Sequence, residues 1–323
     1  CFLQNNYLTE LPVGFGGMES LEYLTLDGNQ LTTLPESFGD LDNLRSLYIE
    51  ENQLTHFPES FGDLESLEIF WARFNQINSL PDSFGNLDVL NFLRIGNNSL
   101  TELPASFSDL AAIELLFLNN NQINALPEDF GNLETLDILE LGANNISELP
   151  ESIGNLPNMS VFAVMSNNLT ALPESFGNYE IDSVFIHDNQ ITELPVLLFD
   201  NTFDIFVIQE NNLQFGSIEP FMDNNIELFY YGLQAMIGQD TVLEVVNNES
   251  LSYSIEVSGE NNIYTWYKEG VLLLDQTTNT LYLENASYDD QGTYVLKVTN
   301  TIVPDLELVS YDAELGIITG GVQ

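Results

Sequence analysis

Along the first two-thirds of the chain, apolar and polar residues alternate in short bursts, and each burst is followed by the same punctuation. Leu24 and Leu26 alternate with Tyr23, Thr25 and Asp27. A period of two predicts a short strand with one buried face. Asn29 follows, then Leu31, the pair Leu34-Pro35, and Ser37-Phe38-Gly39. The whole unit recurs. Asn6, Asn29, Asn52, Asn75, Asn98, Asn121, Asn144 and Asn167 lie 23 residues apart, and Asn189 and Asn211 follow at 22. A degraded unit over Leu228 to Gln234 has glutamine at the asparagine position. Self-similarity at this period predicts a solenoid of about ten stacked units over residues 1–234, because one unit cannot bury its apolar face alone.

Each conserved-looking position in the unit has a physical task. The asparagine sits where the chain leaves the strand, and a buried side-chain amide there can satisfy backbone groups of neighbouring turns. Leu34-Pro35 fixes an extended bend. Phe38 recurs as Phe15, Phe61, Phe84, Phe107, Phe130 and Phe176, with Ile153 as the exception, and is read as a core spine on the convex side. These units resemble the leucine-rich-repeat proteins, in particular the short bacterial type with Leu-Pro followed by Glu-Ser-Phe-Gly-Asn-Leu. The resemblance covers residues 1 to about 234. It implies an α/β-type repeat solenoid, a horseshoe with a parallel sheet on its concave face. The chain enters mid-strand with no polar cap, so an N-terminal cap is expected to be missing. In this register Cys1 matches Leu24, Leu47 and Phe70, and is expected to be a small buried strand residue.

Solenoids of this kind bind along the concave sheet. Its outward residues lie six, four and two positions before each asparagine. The middle row reads Thr25, Tyr48, Trp71, Arg94, Phe117, Glu140, Ala163, Phe185, Val207 and Tyr230. The flanking rows add Tyr23, Phe92 and Leu115 on one side and Glu50, Arg73 and His187 on the other. The repeat region has three cations, Arg45, Arg73 and Arg94, and two of them fall on this face beside Trp71, Phe92 and Phe117. Aromatic residues and arginine dominate binding hot spots. Tyr48, Trp71, Arg73, Phe92, Arg94 and Phe117 are therefore the candidate ligand site. Packing of the stripe on itself, and occupation by another part or copy of the protein, stay open as alternatives.

From about Ala235 the 23-residue pattern gives way to short alternating runs separated by turn residues. Strands are predicted over Thr241 to Val246, Leu251 to Val257, Ile263 to Lys268, Val271 to Leu274, Thr280 to Leu283, Thr293 to Thr299 and Leu306 to Asp312. Seven short strands in about 80 residues argue for a sandwich. Trp266 and the run Asp290-Gln291-Gly292-Thr293-Tyr294 resemble the immunoglobulin-like family. The resemblance implies an all-β sandwich over 235–323 with a short C-terminal tail, Trp266 as core tryptophan and Tyr294 as corner tyrosine. Both disulfide cysteines are lacking, and Tyr253 or Ile255 and Leu296 fill their places.

Charge then narrows the partners. Fifty acidic residues face five basic ones, a formal charge of −45. That excess repels phosphate backbones and anionic lipid, so neither nucleic acid nor a membrane surface is an expected partner. No apolar run is long enough for membrane insertion. Solubility in a salty setting, calcium capture and steering of a cationic partner each account for the acidity. Calcium is thus the one candidate ion, and no cofactor or metal site is expected. No His-x-Glu-x-x-His, phosphate loop or Cys/His zinc pattern occurs, and carboxylates are too abundant for one pair to stand out. The expected function is a non-enzymatic, protein- or glycan-binding adhesion module. The resemblance implies a bacterial cell-surface or secreted setting. The alternative is a structural component of an extracellular fibre or surface layer, self-associating through repeat ends and sandwich domains.

Overall fold

The computed structural model describes residues 1–178, 180–224 and 226–319; the end of the expected C-terminal tail, 320–323, lies outside them. The chain divides into two compact units. One comprises Cys1–Gln190, Leu194–Val207 and Asn225–Phe229, the other Ile191–Glu193, Ile208–Asn224 and Tyr230–Gln323.

Ten three-residue strands form one sheet in chain order: β1 (Tyr23–Thr25), β2 (Ser46–Tyr48), β3 (Ile69–Trp71), β4 (Phe92–Arg94), β5 (Leu115–Phe117), β6 (Ile138–Glu140), β7 (Val161–Ala163), β8 (Ser183–Phe185), β9 (Ile205–Val207) and β10 (Leu228–Tyr230). Pairing is parallel and in register with the repeat, as in Tyr48 with Trp71 and Trp71 with Arg94. Leu24, Leu26, Leu47, Ile49, Leu93 and Ile95 are fully buried on the inner face.

Behind the sheet the chain forms 3₁₀ turns rather than α-helices: after a short first turn at Phe15–Gly17 come five-residue turns at Glu36–Asp40, Glu59–Asp63, Asp82–Asn86 and Ala105–Asp109. Each follows an extended proline, such as Pro35 at φ −70° and ψ 152°. A 23-residue unit leaves room there for one short turn. Among the described residues the one α-helix is Phe215–Ile218. The phenylalanines stack with their rings almost parallel through the units, with Phe38 6.3 Å from Phe61, Phe61 6.0 Å from Phe84 and Phe84 5.9 Å from Phe107.

The glycine after each phenylalanine answers to proximity rather than to backbone angle. A Cβ on Gly39 or Gly62 would stand 2.1 Å from the carbonyl oxygen of Ser60 or Ser83 in the next unit. Ser108 occupies that position in the fifth unit; its hydroxyl is buried without a partner, and the next 3₁₀ turn is cut to Phe130–Asn132.

Asparagine side chains join the units. Asn121 Oδ1 accepts from the Leu100 amide at 3.0 Å, while Nδ2 donates to the carbonyls of Leu118 at 2.9 Å and Ile95 at 3.2 Å. Asn29, Asn52, Asn75, Asn98, Asn144, Asn167 and Asn189 repeat this three-way pattern, each taking the amide of a leucine or isoleucine in the preceding unit. Asn211 accepts likewise from Ile191. Gln234 substitutes for the amide, accepting from Leu213 and donating to Ile208 and Tyr231. Asn6 is exposed and bonds only the carbonyls of Leu3 and Gln4.

Cys1 corrects one expectation. It is exposed, whereas its counterpart Leu24 is fully buried. An inner position is covered from both neighbouring units, and Cys1 has a described unit on one side only.

In the second unit, β11 (Thr241–Val246), β13 (Asn262–Lys268), β14 (Val271–Leu272), β16 (Gly292–Asn300), β17 (Glu307–Val309) and β18 (Ala313–Ile318) make a six-stranded sheet, and β12 (Leu251–Ser254) pairs with β15 (Thr280–Leu283). The first sheet is mixed, because β11 and β18 run parallel. Strand β18 was not among the predicted runs. Ala313, Leu315 and Ile317 are buried and alternate with Glu314, Gly316 and Ile318, a period-two signal diluted by glycine. Trp266 is fully buried, and its Nε1 donates to the Thr278 carbonyl at 2.9 Å. The Tyr294 hydroxyl donates to the Asp290 carbonyl at 2.7 Å. Burial, then the Asp290 charge, pushes that hydroxyl up to about 12. Leu296 and Ile255 are buried, and Tyr253 packs edge-on to Trp266.

Candidate functional site

Parallel in-register pairing sets residues 23 apart one strand spacing from each other, about 4.8 Å. On the outer face of the ten-stranded sheet this converts the aromatic positions into a continuous run. Ring centroids stand 5.2 Å apart for Tyr23 and Tyr48, 5.0 Å for Tyr48 and Trp71, 5.4 Å for Trp71 and Phe92, and 5.5 Å for Phe92 and Phe117. Phe2 extends the run at 5.4 Å from Tyr23. Tyr48, Trp71, Phe92 and Phe117 are half-buried, each lying against the next and keeping part of its surface open. Thr25, Ala163 and Val207 share the middle row but are buried under larger neighbours.

Both arginines join this run. Arg94 holds its guanidinium 5.3 Å from the centre of the Trp71 ring. Arg73 lies 4.9 Å from the Phe74 ring, and its Nε is 3.2 Å from Glu50 Oε1. That distance makes an ion pair, while the direction is wrong for a hydrogen bond, so neither atom has a hydrogen-bond partner. Burial raises the Glu50 carboxyl above its ordinary range, and Arg73 and Arg94 pull it partly back. Glu140 is raised by burial in the same way, with Arg94 opposing. Burial, then Tyr23, raises the Tyr48 hydroxyl. The Trp71 indole N–H is buried and has no acceptor.

Two participants escaped the row-by-row reading. Glu50 was placed on the face but not in the site, and Phe74 lies off the outward rows altogether. The residue before each ladder asparagine takes a left-handed conformation, at φ +64° for Gly28 and +54° for Phe74. For a bulky side chain that conformation is an outlier, yet the ring stays 45% exposed with Arg73 over it. His187 lies five strands beyond β3, with Nδ1 buried and unpartnered, and is not brought into the cluster.

Among the described residues no group of three or more His, Cys, Asp or Glu could hold a metal ion, and no helix is long and apolar enough to cross a membrane. A cleft of about 570 Å³ is lined by Gly62, Asp63, Glu65, Asn86, Asp88 and Val89 on the side of the 3₁₀ turns. Asp63, Glu65 and Asp88 give it a carboxylate lining, and the sheet face holds the more specific chemistry.

With this geometry in hand, the profile described as Leucine Rich Repeat matches residues 20–41 and 43–64. The chain carries leucine-rich repeats. No curated protein matches it. Among solved structures, a leucine-rich-repeat protein of Leptospira interrogans is similar at 24% identity and TM-score 0.59, covering 71% of this chain and 64% of that one. A TDR receptor is similar at 21% identity and TM-score 0.56, over 72% of this chain and 46% of that chain. A chain in the octameric complex of Latrophilin 3, Unc5D and FLRT2 is similar at 22% identity and TM-score 0.53, covering 77% and 74%. The chain thus spans about two-thirds or less of the first of these and under half of the second. At such identities the likeness shows the leucine-rich-repeat fold.

Proposed function

We propose that this chain is a non-enzymatic recognition module that grips a protein or glycan on the outer face of its leucine-rich-repeat sheet. One observation carries the reading: an unbroken aromatic run from Tyr23 to Phe117, interleaved with Arg73 and Arg94, stays half open on a surface where solubility would favour charge. Contiguous exposed apolar surface of this kind marks interaction. Aromatic side chains and arginine supply most hot spots. Receptor and multiprotein-complex neighbours support a binding role at the level of fold. The sandwich of 235–323, immunoglobulin-like in this reading, serves as a spacer that follows the solenoid of 1–234 in the chain. The setting is an extracellular or bacterial cell surface.

The test is binding of the whole chain to a combined array of surface proteins and glycans, wild type against Trp71→Ala/Phe117→Ala. A wild-type hit lost in the double variant, with melting unchanged, supports the face. A hit that survives the double variant overturns it.

A further inference from the structure

Five Lys and Arg side chains face fifty carboxylates in this chain, so a cation without a partner is the exception to be explained. Arg45 pairs with Glu68, Arg73 with Glu50, and Lys297 with Glu307. The Lys268 ammonium donates to the Asp289 carbonyl. Arg94 alone makes no ion pair and no side-chain hydrogen bond among the described residues. Its guanidinium is held instead over Trp71. Glu50 and Glu140 both feel its charge, yet neither comes within ion-pair distance.

We propose that Arg94 is an anchor for a ligand carboxylate, and that the ligand is an extended peptide segment bearing one acidic side chain between apolar ones. The proposal rests on the sheet face being the binding surface and names the chemistry it selects. A guanidinium presents five donors in a planar fork that matches a carboxylate. The Trp71 ring face holds the guanidinium in place without consuming its donors. Trp71 and Phe117 flank the guanidinium in its row, Glu50 is paired with Arg73, and Glu140 feels its charge without reaching it, so the fork stays open to a carboxylate from outside. The complement of such a patch is an acceptor carrying negative charge.

Ring geometry argues for a peptide over a sugar. Successive rings are inclined by 82° from Tyr48 to Trp71, 69° from Trp71 to Phe92 and 49° from Phe92 to Phe117. A sugar ring lies flat on an aromatic face, but Arg94 already sits over Trp71, and Trp71 meets Tyr48 and Phe92 edge-on. The corrugated strip suits aliphatic or aromatic side chains entering between rings. Net charge limits the ligand further. At physiological salt the Debye length is about 8 Å, so one carboxylate at Arg94 escapes most of the distant negative charge, whereas a polyanion does not.

The experiment selects peptides from a random twelve-residue phage-displayed library on the whole protein, and remakes the best as a synthetic peptide with Glu or Asp replaced by its amide. We expect enriched peptides with one acidic residue flanked by apolar ones and at least tenfold weaker binding of the amide version. Arg94→Gln should abolish the preference for the acid over the amide, and Arg94→Lys should restore part of it. Glu140→Gln, which removes a competing carboxylate, should tighten binding severalfold, and this gain cannot arise from misfolding. Peptides that bind through Trp71 and Phe117 but show equal acid and amide affinity overturn the carboxylate anchor while leaving the face intact. Peptides indifferent to Trp71→Ala/Phe117→Ala, or no enrichment at all, overturn both. Arg94-dependent capture of an acidic glycan without any peptide overturns the choice of peptide.

Discussion

Replacing Asn121 by alanine should cost about 3 kcal/mol, and the figure follows from counting what loses a partner. The Leu100 amide loses its acceptor, and the carbonyls of Leu118 and Ile95 each lose a donor. Asn121 is 8% exposed, so water reaches these groups poorly. An orphaned buried N–H costs roughly 1–3 kcal/mol, and a carbonyl with a second lone pair costs less, about 0.5–1 each. Against a typical stability of about 5–15 kcal/mol the loss is large. Asn6→Ala is the control: its amide bonds only two exposed carbonyls, and water replaces it at a cost of under about 1 kcal/mol. Urea unfolding followed by far-UV circular dichroism gives both values, and amide exchange reports Leu100 directly. Asn121→Asp adds a second check. A carboxylate there can accept from Leu100 but faces two carbonyl oxygens, so its folded-state pKa should rise. Stability is then present below the unfolded carboxyl value and lost as pH rises through the folded one. A loss under about 1 kcal/mol for Asn121→Ala, or one equal to that of Asn6→Ala, would refute the reasoning that the ladder acts by satisfying buried backbone.

Three further outcomes test the remaining arguments. Gly62→Ala drives a Cβ to 2.1 Å from the Ser83 carbonyl and should lower stability by about 2 kcal/mol or more, whereas Gly17→Ala meets nothing within 4 Å and should be near neutral in melting experiments. Phe74→Asn relieves a left-handed phenylalanine and should raise stability by up to about 1 kcal/mol, while weakening ligand binding if the ring serves Arg73. Tyr294 keeps its proton in the folded state up to about 12, above its ordinary 10.0, so unfolding releases that proton between the two. Stability should fall as pH rises through this window, and Tyr294→Phe should remove that part of the fall at the expense of one hydrogen bond.

Period and punctuation made the solenoid legible because each repeat reports the same physics: Leu24 and Leu26 inward, Asn29 at the turn, Phe38 behind. Averaging over ten units suppresses local exceptions. For the same reason the exceptions were unreadable. Nothing in the spacing shows that Gly39 is held by the approach of Ser60, since a glycine after phenylalanine reads equally well as a turn residue until the next unit's carbonyl is in place. Strand β18 stayed hidden because Gly316 falls on its outward side and thins the alternation.

The site divides along the same line. Register alone predicts that Tyr48, Trp71, Arg94 and Phe117 share a row, because pairing in a parallel sheet is a matter of counting. Counting cannot predict which charges find partners. Arg73 and Arg94 are equivalent in composition and lie one strand apart, yet Arg73 reaches back to Glu50 while Arg94 turns over Trp71. The difference comes from side-chain reach across strands. Glu50 and Arg73 share the row nearest the asparagines, one strand spacing apart. Arg94 stands in the middle row, whose neighbours are Trp71 and Phe117 rather than a carboxylate. An aromatic row thus isolates one cation, whereas among the described residues the other four Lys and Arg side chains each reach a carboxylate or a backbone carbonyl. That isolation is a product of the repeat, and any substitution placing a carboxylate at position 71 or 117 should abolish it.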